Sequence, residues 1–562
     1  MLDNNKINNI VYVFSLLFFS TFAVAEDTAP KAAGSWIAII PPLLTITVAL
    51  IIKRVIPALF LGIWVGAWVI NDFGLVGIWT GLLDTFQVFV ANALSNPDHT
   101  AIVLFSMMVG GMVSIITRNG GMQGIVNHIV AWADSARHAC LATASLGLAI
   151  FFDDYANTLV VGNTMRPVTD SMRVSREKLA YIVDSTAAPV ACIAVVTTWI
   201  GYEIGLIGDS LSKMEGLDTE AYLLFLNTLP YSFYPIMAIA FVFMVSGSGR
   251  DFGPMLVAER RAQEHGSANP DAKVTSTEKV ESLGAIEGKP QRAFNAYIPV
   301  LVMVLGVVVG LYVTGMEASS EIAEPTLKDI IGNANSYTAL MWASLVSMMT
   351  AAVLSLSQRI LDLEDVVNAW VHGVSAMLMA MIILILAWSL GEVTDILKTA
   401  DFLTGVLGGT LPAFLLPTIV FILAAIAAFA TGSSWGAMGI LFPLAMPLTW
   451  AVMVAQGQAG PEHMHILYSS ISAILAGAVW GDHCSPISDT TILSSLASGC
   501  DHIEHVRTQL PYAITVGGAA ILFGSFMTAL GSPWWLGMAL GLTTLWLILR
   551  FYGKPSRLPQ AA

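Results

Sequence analysis

The chain alternates long apolar runs with short polar connections along most of its length. A helix needs about 20 apolar residues to cross the hydrocarbon core of a bilayer, so runs of this length predict membrane spans. The predicted spans are residues 36–52, 55–71, 101–117, 179–208, 231–248, 296–314, 336–357, 371–391, 464–498, 511–530 and 532–550. The pattern therefore predicts an all-α polytopic membrane protein with about 11 spans.

Two further apolar stretches, 139–167 and 411–447, are interrupted in the middle by polar residues. The interruptions are Asp153 to Asn157 and Thr431 to Gly436. We expect each stretch to form a re-entrant hairpin that enters and leaves the membrane on the same side. The segment 74–94 contains Asp84 and Gln87 among apolar residues and is predicted to lie at the membrane interface.

The distribution of basic residues favours this topology, because cytoplasmic loops carry an excess of Lys and Arg. With two re-entrant hairpins, loop 249–293, the cluster from Arg166 to Lys178, Arg359 and the C-terminal tail all fall in the cytoplasm. The acidic loop 316–335 then lies outside. If both interrupted stretches crossed the membrane fully, the basic tail would be placed outside instead.

The N-terminus and the cysteines say little about function. Residues 11–24 are a short apolar run that ends near Ala23-Val24-Ala25, which predicts a signal peptide over 1–25. An uncleaved first segment is the alternative. The four cysteines, Cys140, Cys192, Cys484 and Cys500, show no metal-binding or disulfide spacing and are predicted to be buried, inert thiols.

The two halves of the chain resemble each other. FFDDYANTLVVGNTMRPV aligns with ATGSSWGAMGILFPLAMP at an offset that places Asp153 on Ser433 and Asp154 on Ser434. We predict a first repeat at 31–248, a cytoplasmic loop at 249–293, an inverted second repeat at 294–530, and an extra helix and tail at 531–562. Inverted repeats with interrupted helices in matching positions are typical of secondary transporters. Chance similarity between two hydrophobic halves is the alternative.

Composition narrows the function classes further. Hydrophobic residues make up 56% of the chain and charged residues only 11%, which excludes a soluble enzyme, a disordered protein and a nucleic-acid-binding protein. The net charge is −14. Acidic residues that remain inside predicted spans are therefore the informative part of this charge, since ionisable groups in a membrane are costly and usually functional.

The first polar break places Asp153, Asp154, Asn157 and Thr158 in apolar surroundings. Two adjacent carboxylates in hydrocarbon require a cation, a proton or a basic partner. Na⁺ is a hard cation and, by analogy with other hard cations, favours oxygen ligands. An ion pair with Arg166, or a helix N-cap, is the structural alternative.

The second break contains Ser433 and Ser434, whose hydroxyls and nearby carbonyls are candidate ligands. Close packing of small residues is the alternative there. A third break, in span 179–208, supplies Thr197 and Thr198 as candidate oxygen ligands. In the same span we leave open whether Asp184 pairs with Arg176 or Lys178 and whether Glu203 lies at the outer interface.

The fourth break lies in span 464–498 and contains Asp482, Ser485 and Asp489. We expect Pro486 to begin a second half-helix with Ser485 as its N-cap. His483-Cys484 lacks a second pair with metal-binding spacing. Asp501 to His505 contains two histidines, but Asp501 and Glu504 are better explained as a capping box.

Four motifs in this order resemble the NhaC-type sodium/proton antiporter family over roughly residues 35–530: FFDDYANTLVVGNTMRPVTD, VDSTAAPVACIAVVTTWIGYEIG, ATGSSWG and GDHCSPISDTT. The resemblance implies an inner-membrane carrier built from inverted repeats. On that analogy the site would be lined by Asp153, Asp154, Asn157, Thr197, Thr198, Ser433, Ser434, Asp482 and Ser485. Related members are thought to carry organic acids or amino acids.

We therefore predict a Na⁺/H⁺ antiporter, not an enzyme, in which Asp154 and Asp482 bind Na⁺ in one state and protons in the other. The predicted location is a bacterial inner membrane. No cofactor is predicted, and the partners are membrane lipid, Na⁺ and H⁺, with a homodimer as a candidate assembly and no nucleic acid. A Na⁺- or H⁺-coupled carrier of a small organic acid or amino acid is the alternative.

Overall fold

The computed structural model describes residues 30–130, 132–267, 284–286, 288–320, 322, 325–407 and 411–556. The predicted signal peptide at 1–25 lies outside these residues. The first part of the described chain contains the helices α1 (Ile40–Ile52), α2 (Val55–Ile70), α3 (Leu75–Asp84), α4 (Ala91–Ser95), α5 (Pro97–Arg118), α6 (Gly121–Val130), α7 (Ala136–Ala149), α8 (Asp154–Ser171), α9 (Arg176–Ile193), α10 (Ile200–Leu211), α11 (Ala221–Thr228) and α12 (Phe233–Ser248).

The second part continues with α13 (Gly253–His265), α14 (Phe294–Ala318), α15 (Leu327–Gly332), α16 (Ser336–Ser357), α17 (Leu363–Ile396), α18 (Thr399–Leu407), α19 (Leu416–Thr431), α20 (Ser434–Ala455), α21 (Met464–Cys484), α22 (Asp489–Ser498), α23 (His502–Ala519), α24 (Met527–Ala529) and α25 (Trp534–Phe551). A π-helical turn, Thr85–Val90, joins α3 to α4, and another, Ala520–Phe526, joins α23 to α24. Short 3₁₀ helices occur at Trp36–Ile39, Leu229–Tyr231, Ala413–Leu415 and Pro461–His463.

Among the described residues, 10 helices are long and apolar enough to cross a membrane, or 11 if the bent pair α11–α12 is one span. The prediction of an all-α polytopic protein with about 11 spans is confirmed. Membership differs in part. The count includes Leu75–Ser95 and both arms of the second predicted hairpin, Ala413–Thr431 and Ser434–Ala455, and it leaves out the predicted span 179–208 and the shorter helices Trp36–Ile52 and Val55–Ile70. The interfacial placement of 74–94 therefore stays a prediction.

Span 231–248 was predicted too short at its N-terminal end. The helix starts at Ala221 and bends by 49° at Ser232 before α12. Polar residues such as Asn227 and Thr228 interrupt the apolar run here, and Thr228 satisfies its hydroxyl by donating to the carbonyl of Phe225. A helix can therefore continue through a segment that apolar run length alone excludes.

Helix boundaries and packing follow the predicted repeat. Helices α7 and α8 begin at residues 136 and 154, and α19 and α20 begin at the same offset, at 416 and 434. The spans that were predicted to be broken are broken, between α9 and α10 and between α21 and α22.

Helices of one repeat also pack against helices of the other repeat in matching pairs. Helix α2 packs on α17 while α16 packs on α5, and α22 packs on α8 while α10 packs on α20. A two-fold relation between two repeats produces such reciprocal contacts.

The repeats differ before the first hairpin. Asn96 caps a new helix that begins at Pro97, so the first repeat has a break between α4 and α5. The second repeat has no proline at the matching position, and α17 runs unbroken for 34 residues. In the second repeat, the segment around Asp365 is therefore the first part of one long helix.

The predicted cytoplasmic loop and the C-terminal tail contact each other at one end of the helices. Strand β1 (Arg250–Asp251) pairs antiparallel with β2 (Lys554–Pro555). The buried Asp251 carboxylate accepts hydrogen bonds from Lys178 at 2.5 Å and from Tyr512 and Ser556. The loop, the tail and the start of α9 thus meet at one end of the helices, as the positive-inside distribution requires.

Each hairpin tip is held by a backbone hydrogen bond to a broken span. The carbonyl of Phe152 accepts from the N–H of Thr198 at 2.9 Å, and the carbonyl of Gly432 accepts from the N–H of Asp489 at 3.3 Å. Because the tips contact breaks in the interior of other spans, they lie within the protein and not at a membrane surface.

We expect Gly432→Ala to destabilise the second hairpin. Gly432 has φ +69°, and an added Cβ would lie 2.3 Å from the backbone oxygen of Ile487. Gly457 has nearly the same φ, +68°, but open space around it, so Gly457→Ala measures the left-handed strain alone, about 1–2 kcal/mol. The thermal unfolding midpoint of the purified protein in detergent should fall further for Gly432→Ala. Equal losses would contradict the close contact at the tip.

Candidate ion-binding site between two hairpin tips

The candidate site lies where the N-termini of α8 and α20 meet the two breaks. Asp153 caps α8 by accepting from the N–H of Ala156 at 2.6 Å, and Ser433 caps α20 by accepting from the N–H of Gly436 at 3.2 Å. These caps occupy equivalent positions in the two repeats. They satisfy backbone donors that would otherwise be unpaired in a low-dielectric interior.

Tyr155 shows that the acidic residues converge. Its hydroxyl is within electrostatic range of Asp153, Asp154, Asp482 and Asp489, which come from both halves of the chain. The structure therefore brings the acids of the first and fourth breaks into one region, although they are more than 300 residues apart in sequence.

Asp154 is the least satisfied carboxylate of this region. It is 1% exposed, and neither side-chain oxygen has a hydrogen-bond partner among the described residues. The indole N–H of Trp199 faces it and also forms no hydrogen bond. An ionised carboxylate in this environment is very costly, so Asp154 must hold a proton or face a cation.

Asp482 has one partner from the opposite hairpin. Its Oδ2 accepts from the backbone N–H of Ser434 at 2.8 Å, while Oδ1 is buried without a partner. Ser434 is the first residue of α20, so the positive end of the helix dipole points at this carboxylate. The charge of Asp482 is thereby coupled to the position of the second hairpin.

Three free oxygen atoms lie on the first hairpin and its neighbouring break. Asn157 donates its Nδ2 to the carbonyls of Gly147, Ile150 and Thr186, at 2.7, 3.1 and 3.2 Å, so its Oδ1 remains without a partner. The hydroxyls of Thr158 and Thr198 are also buried and form no hydrogen bond among the described residues, and the hydroxyl of Thr198 faces Asp153. Oxygens of this kind are suited to a hard cation.

Three predicted hydroxyl ligands are already engaged. Thr197 donates to the carbonyl of Ala191 and accepts from the N–H groups of Trp199 and Ile200, so it caps α10. Ser433 caps α20, and Ser485 donates to the carbonyl of Phe429 at 2.7 Å. These side chains shape the breaks, and their hydroxyls are less available to an ion than those of Thr158 and Thr198.

The second half-helix of the fourth break starts later than predicted. It begins at Asp489 with Ser488 as its N-cap, not at Pro486 with Ser485 as the cap. Pro486 and Ile487 instead form a turn that carries the chain past the tip of the second hairpin. Asp489 is exposed, and Arg54 is the basic group near it, so it differs from the wholly buried Asp154 and Asp482.

Asp184 does not pair with Arg176 or Lys178, because these bind Asp170 and Asp251 instead. It is fully buried in α9, and its carboxylate accepts hydrogen bonds from Thr491, Ser494 and Gln509. Three donors can stabilise an ionised carboxylate without a basic partner.

Glu203 does not lie at the outer interface. It is 0% exposed, both its side-chain oxygens lack hydrogen-bond partners, and the thiol of Cys192 is the polar side chain beside it. The sequence signal was present, since Glu203 follows the polar break at Thr197 and Thr198, but the direction and burial of its side chain could not be read from the sequence.

A cavity of about 290 Å³ opens beside the first hairpin. Asp153, Tyr155, Asn163, Thr164 and His372 contribute its polar lining, and α5, α6, α8 and α17 form its walls. The backbone of Gly284 and Ala285, from the predicted cytoplasmic loop, reaches its lining. This position identifies it as a candidate access path from that side.

His483 and Asp501, from the two sequence stretches that were considered as metal-binding motifs, form structural hydrogen bonds. The Nδ1 of His483 contacts the hydroxyl of Tyr234, and its Nε2 donates to the carbonyl of Asp184. Asp501 caps α23 by accepting from the N–H of Glu504, as expected, although the Glu504 carboxylate pairs with Arg507 and does not complete the box. The described part of the chain contains no group of three or more His, Cys, Asp and Glu residues that could hold a metal. None of the four cysteines forms a disulfide bond, and Cys500 is only partly buried.

Comparisons with known proteins agree with this architecture. A protein of Haemophilus influenzae whose function is uncharacterised is 33% identical over 92% of this chain and 93% of its own length. The malate-2H⁺/Na⁺-lactate antiporter of Bacillus subtilis is 34% identical, but over only 28% of this chain and 32% of its own. The crystal structure of the Alcanivorax borkumensis YdaH transporter covers 81% of this chain and 90% of its own, with a TM-score of 0.52 and 12% identity, which shows a shared fold.

The model of the Na⁺/H⁺ antiporter family matches residues 190–527. This range contains the second half of each broken span, the whole second hairpin and Asp482. The match covers more than half of the chain. The chain is therefore a multi-pass membrane protein and secondary transporter that belongs to the Na⁺/H⁺ antiporter family.

Proposed function

We propose that this transporter exchanges Na⁺ for H⁺ across a bacterial inner membrane, with Asp154 and Asp482 as the residues that bind either ion. The observation that carries the proposal is the burial of both carboxylates, together with three buried side-chain oxygens on the first hairpin and its neighbouring break that form no hydrogen bond among the described residues. Neither takes part in an ion pair within the described ranges. Each must then be neutralised by a proton or a cation.

Exchange follows from competition at these carboxylates. When Asp154 and Asp482 are ionised, Na⁺ neutralises them, and the free oxygens of Asn157, Thr158 and Thr198 are available as further ligands. When these two carboxylates are protonated they are neutral, so they no longer attract Na⁺. Since the two occupancies exclude each other, movement of one ion in one direction requires the other to move back.

The hydrogen bond from the Ser434 N–H to Asp482 links the protonation state of Asp482 to the position of the second hairpin. An N–H donates more strongly to a carboxylate than to a neutral acid. Protonation of Asp482 therefore weakens its hold on the N-terminus of α20, and this would release the second hairpin from the fourth break. Opposite charge states of Asp482 then favour different hairpin positions.

We expect Asp154→Asn and Asp482→Asn each to abolish Na⁺-dependent proton movement in everted membrane vesicles. Loss of one charge-assisted contact, about 1.5–3 kcal/mol, weakens Na⁺ binding by about 10- to 100-fold and removes the titratable group. Asp362→Asn is the matched control, because Asp362 is an exposed N-cap and Asn caps helices equally well. Normal exchange in both variants would rule out this assignment.

A second candidate, a Na⁺- or H⁺-coupled carrier of a small organic acid or amino acid, is favoured by the cavity beside Asp153. Its volume of about 290 Å³ is at the lower end for small-molecule sites, about 300 Å³, and exceeds what a bare cation needs. The similarity to a malate-2H⁺/Na⁺-lactate antiporter is consistent with this candidate. Against it, none of the described residues that line the cavity is a Lys or Arg.

Proteoliposomes distinguish the two candidates. We expect a Na⁺ gradient to drive proton movement without any organic solute, and malate, lactate or an amino acid to leave the rate unchanged. Asn163→Leu, which adds an apolar side chain to the cavity lining, should also have no effect on Na⁺/H⁺ exchange. If exchange requires one of the solutes, and Asn163→Leu slows only the uptake of that solute, the carrier is the correct function.

A further inference from the structure

Two histidines at the start of α23 face one serine of α22. The Nδ1 of His502 lies 3.1 Å, and the Nδ1 of His505 lies 2.9 Å, from the hydroxyl oxygen of Ser495. His502 is half-buried, while His505 is 0% and Ser495 is 2% exposed. This cluster is separate from Asp154 and Asp482.

The neighbours of His505 fix the proton on one ring nitrogen. Gln509 donates its Nε2 to the Asp184 carboxylate at 2.6 Å and to the carbonyl of His483 at 3.0 Å, so its Oε1 must be the atom that faces His505. An amide oxygen only accepts. The Nε2 of His505, 3.0 Å away, therefore carries a proton and donates it to Gln509.

The same reasoning applies to His502. Its Nε2 lies 2.6 Å from the carbonyl of Pro486, which only accepts, so this nitrogen also carries a proton. If both rings are neutral, both Nδ1 atoms are acceptors that face one hydroxyl. Ser495 has a single hydrogen, which the carbonyl of Thr491, 2.7 Å away, also accepts. At least one Nδ1 lone pair then points at the serine oxygen with no hydrogen between them.

One additional proton completes this network. With a proton on the Nδ1 of one histidine, that ring donates to the oxygen of Ser495, and Ser495 donates to the Nδ1 of the other ring. Every ring nitrogen and the hydroxyl then has a hydrogen-bond partner, as buried polar groups require. We propose that His502, Ser495 and His505 form a proton-binding relay that carries one proton from the half-exposed His502 to the buried His505.

The transfer step is balanced. His502 takes a proton from solvent at Nδ1; this N–H bond breaks as the proton moves to the oxygen of Ser495, and the original O–H bond of Ser495 breaks as its proton forms an N–H bond on the Nδ1 of His505. His502 returns to the neutral form and His505 becomes an imidazolium. No other reactant is needed.

The groups that face His505 come from three packed helices. The groups that face it are Asp184 from α9, Thr491 and Ser495 from α22, and His502 and Gln509 from its own helix. Asp184 is the only acid among them, and Gln509 bridges it to His505. The adjacent loop is bound by Arg176, which donates to the carbonyl of Gly499 at 3.1 Å, so the relay opens on the basic side that the positive-inside rule places in the cytoplasm.

The position of Ser495 links the relay to the second hairpin. Ser495 lies on α22, whose first residue, Asp489, holds the tip of that hairpin through the carbonyl of Gly432. A proton at His505 places a positive charge against this short helix. The relay therefore places its proton against the helix that fixes the hairpin, whichever ion or solute is exchanged.

Nitrogen-15 NMR of histidine-labelled protein in detergent tests the relay without any transport assay. The chain has 10 histidines, and His502→Gln and His505→Gln assign the two signals by their loss. In the unmodified protein we expect the two rings to take up one shared proton between about pH 5 and 8, with coupled titrations. Ser495→Ala keeps both histidines but should uncouple them, and Ser495→Thr, which keeps the hydroxyl, should restore the coupling.

Ser498→Ala is the matched control, because Ser498 lies on the same helix and its buried hydroxyl has no partner. Its titrations should equal those of the unmodified protein. Independent titration of the two rings in the unmodified protein, or neutral rings throughout this pH range, would overturn the relay. Neither result would bear on Asp154 and Asp482, and failure of Na⁺/H⁺ exchange would not by itself alter the NMR result.

Discussion

The need to satisfy backbone groups inside the membrane determines how the interior of this transporter is built. Four helix ends meet there, and no bulk water is present to bind their N–H and C=O groups. The carbonyl of Phe152 therefore accepts from Thr198, and the carbonyl of Gly432 accepts from Asp489. Each hairpin is thus held by a broken span, and this arrangement leaves helix N-termini next to buried acids.

The buried acids follow from the same arrangement. Asp482 is tolerated because the N-terminus of α20 donates to it through Ser434, whereas Asp154 has no such donor. One carboxylate is therefore partly stabilised and the other is not, so the cost of an empty, fully ionised site is high. In the proposed Na⁺/H⁺ exchange this cost would suppress uncoupled movement of either ion.

Sequence reasoning was sufficient for the helical class and the two broken spans, because polar residues inside apolar runs are rare and positionally informative. Sequence reasoning failed for the roles of individual side chains, because these roles depend on tertiary contacts. Whether Ser485 or Ser488 caps α22, and whether Thr197 or Thr198 has a free hydroxyl, depends on which neighbour each side chain reaches. The burial of Glu203 and the partners of Asp184 likewise depend on helix packing that no local pattern encodes.

Proton release on Na⁺ binding tests the central claim most directly. Purified protein in weakly buffered detergent solution is mixed with NaCl, and the pH change is compared with that for choline chloride. If Na⁺ and H⁺ compete for Asp154 and Asp482, Na⁺ should release protons in proportion to the protein present, and the Asp154→Asn, Asp482→Asn double variant should release none. Saturable Na⁺ binding without proton release would contradict the account.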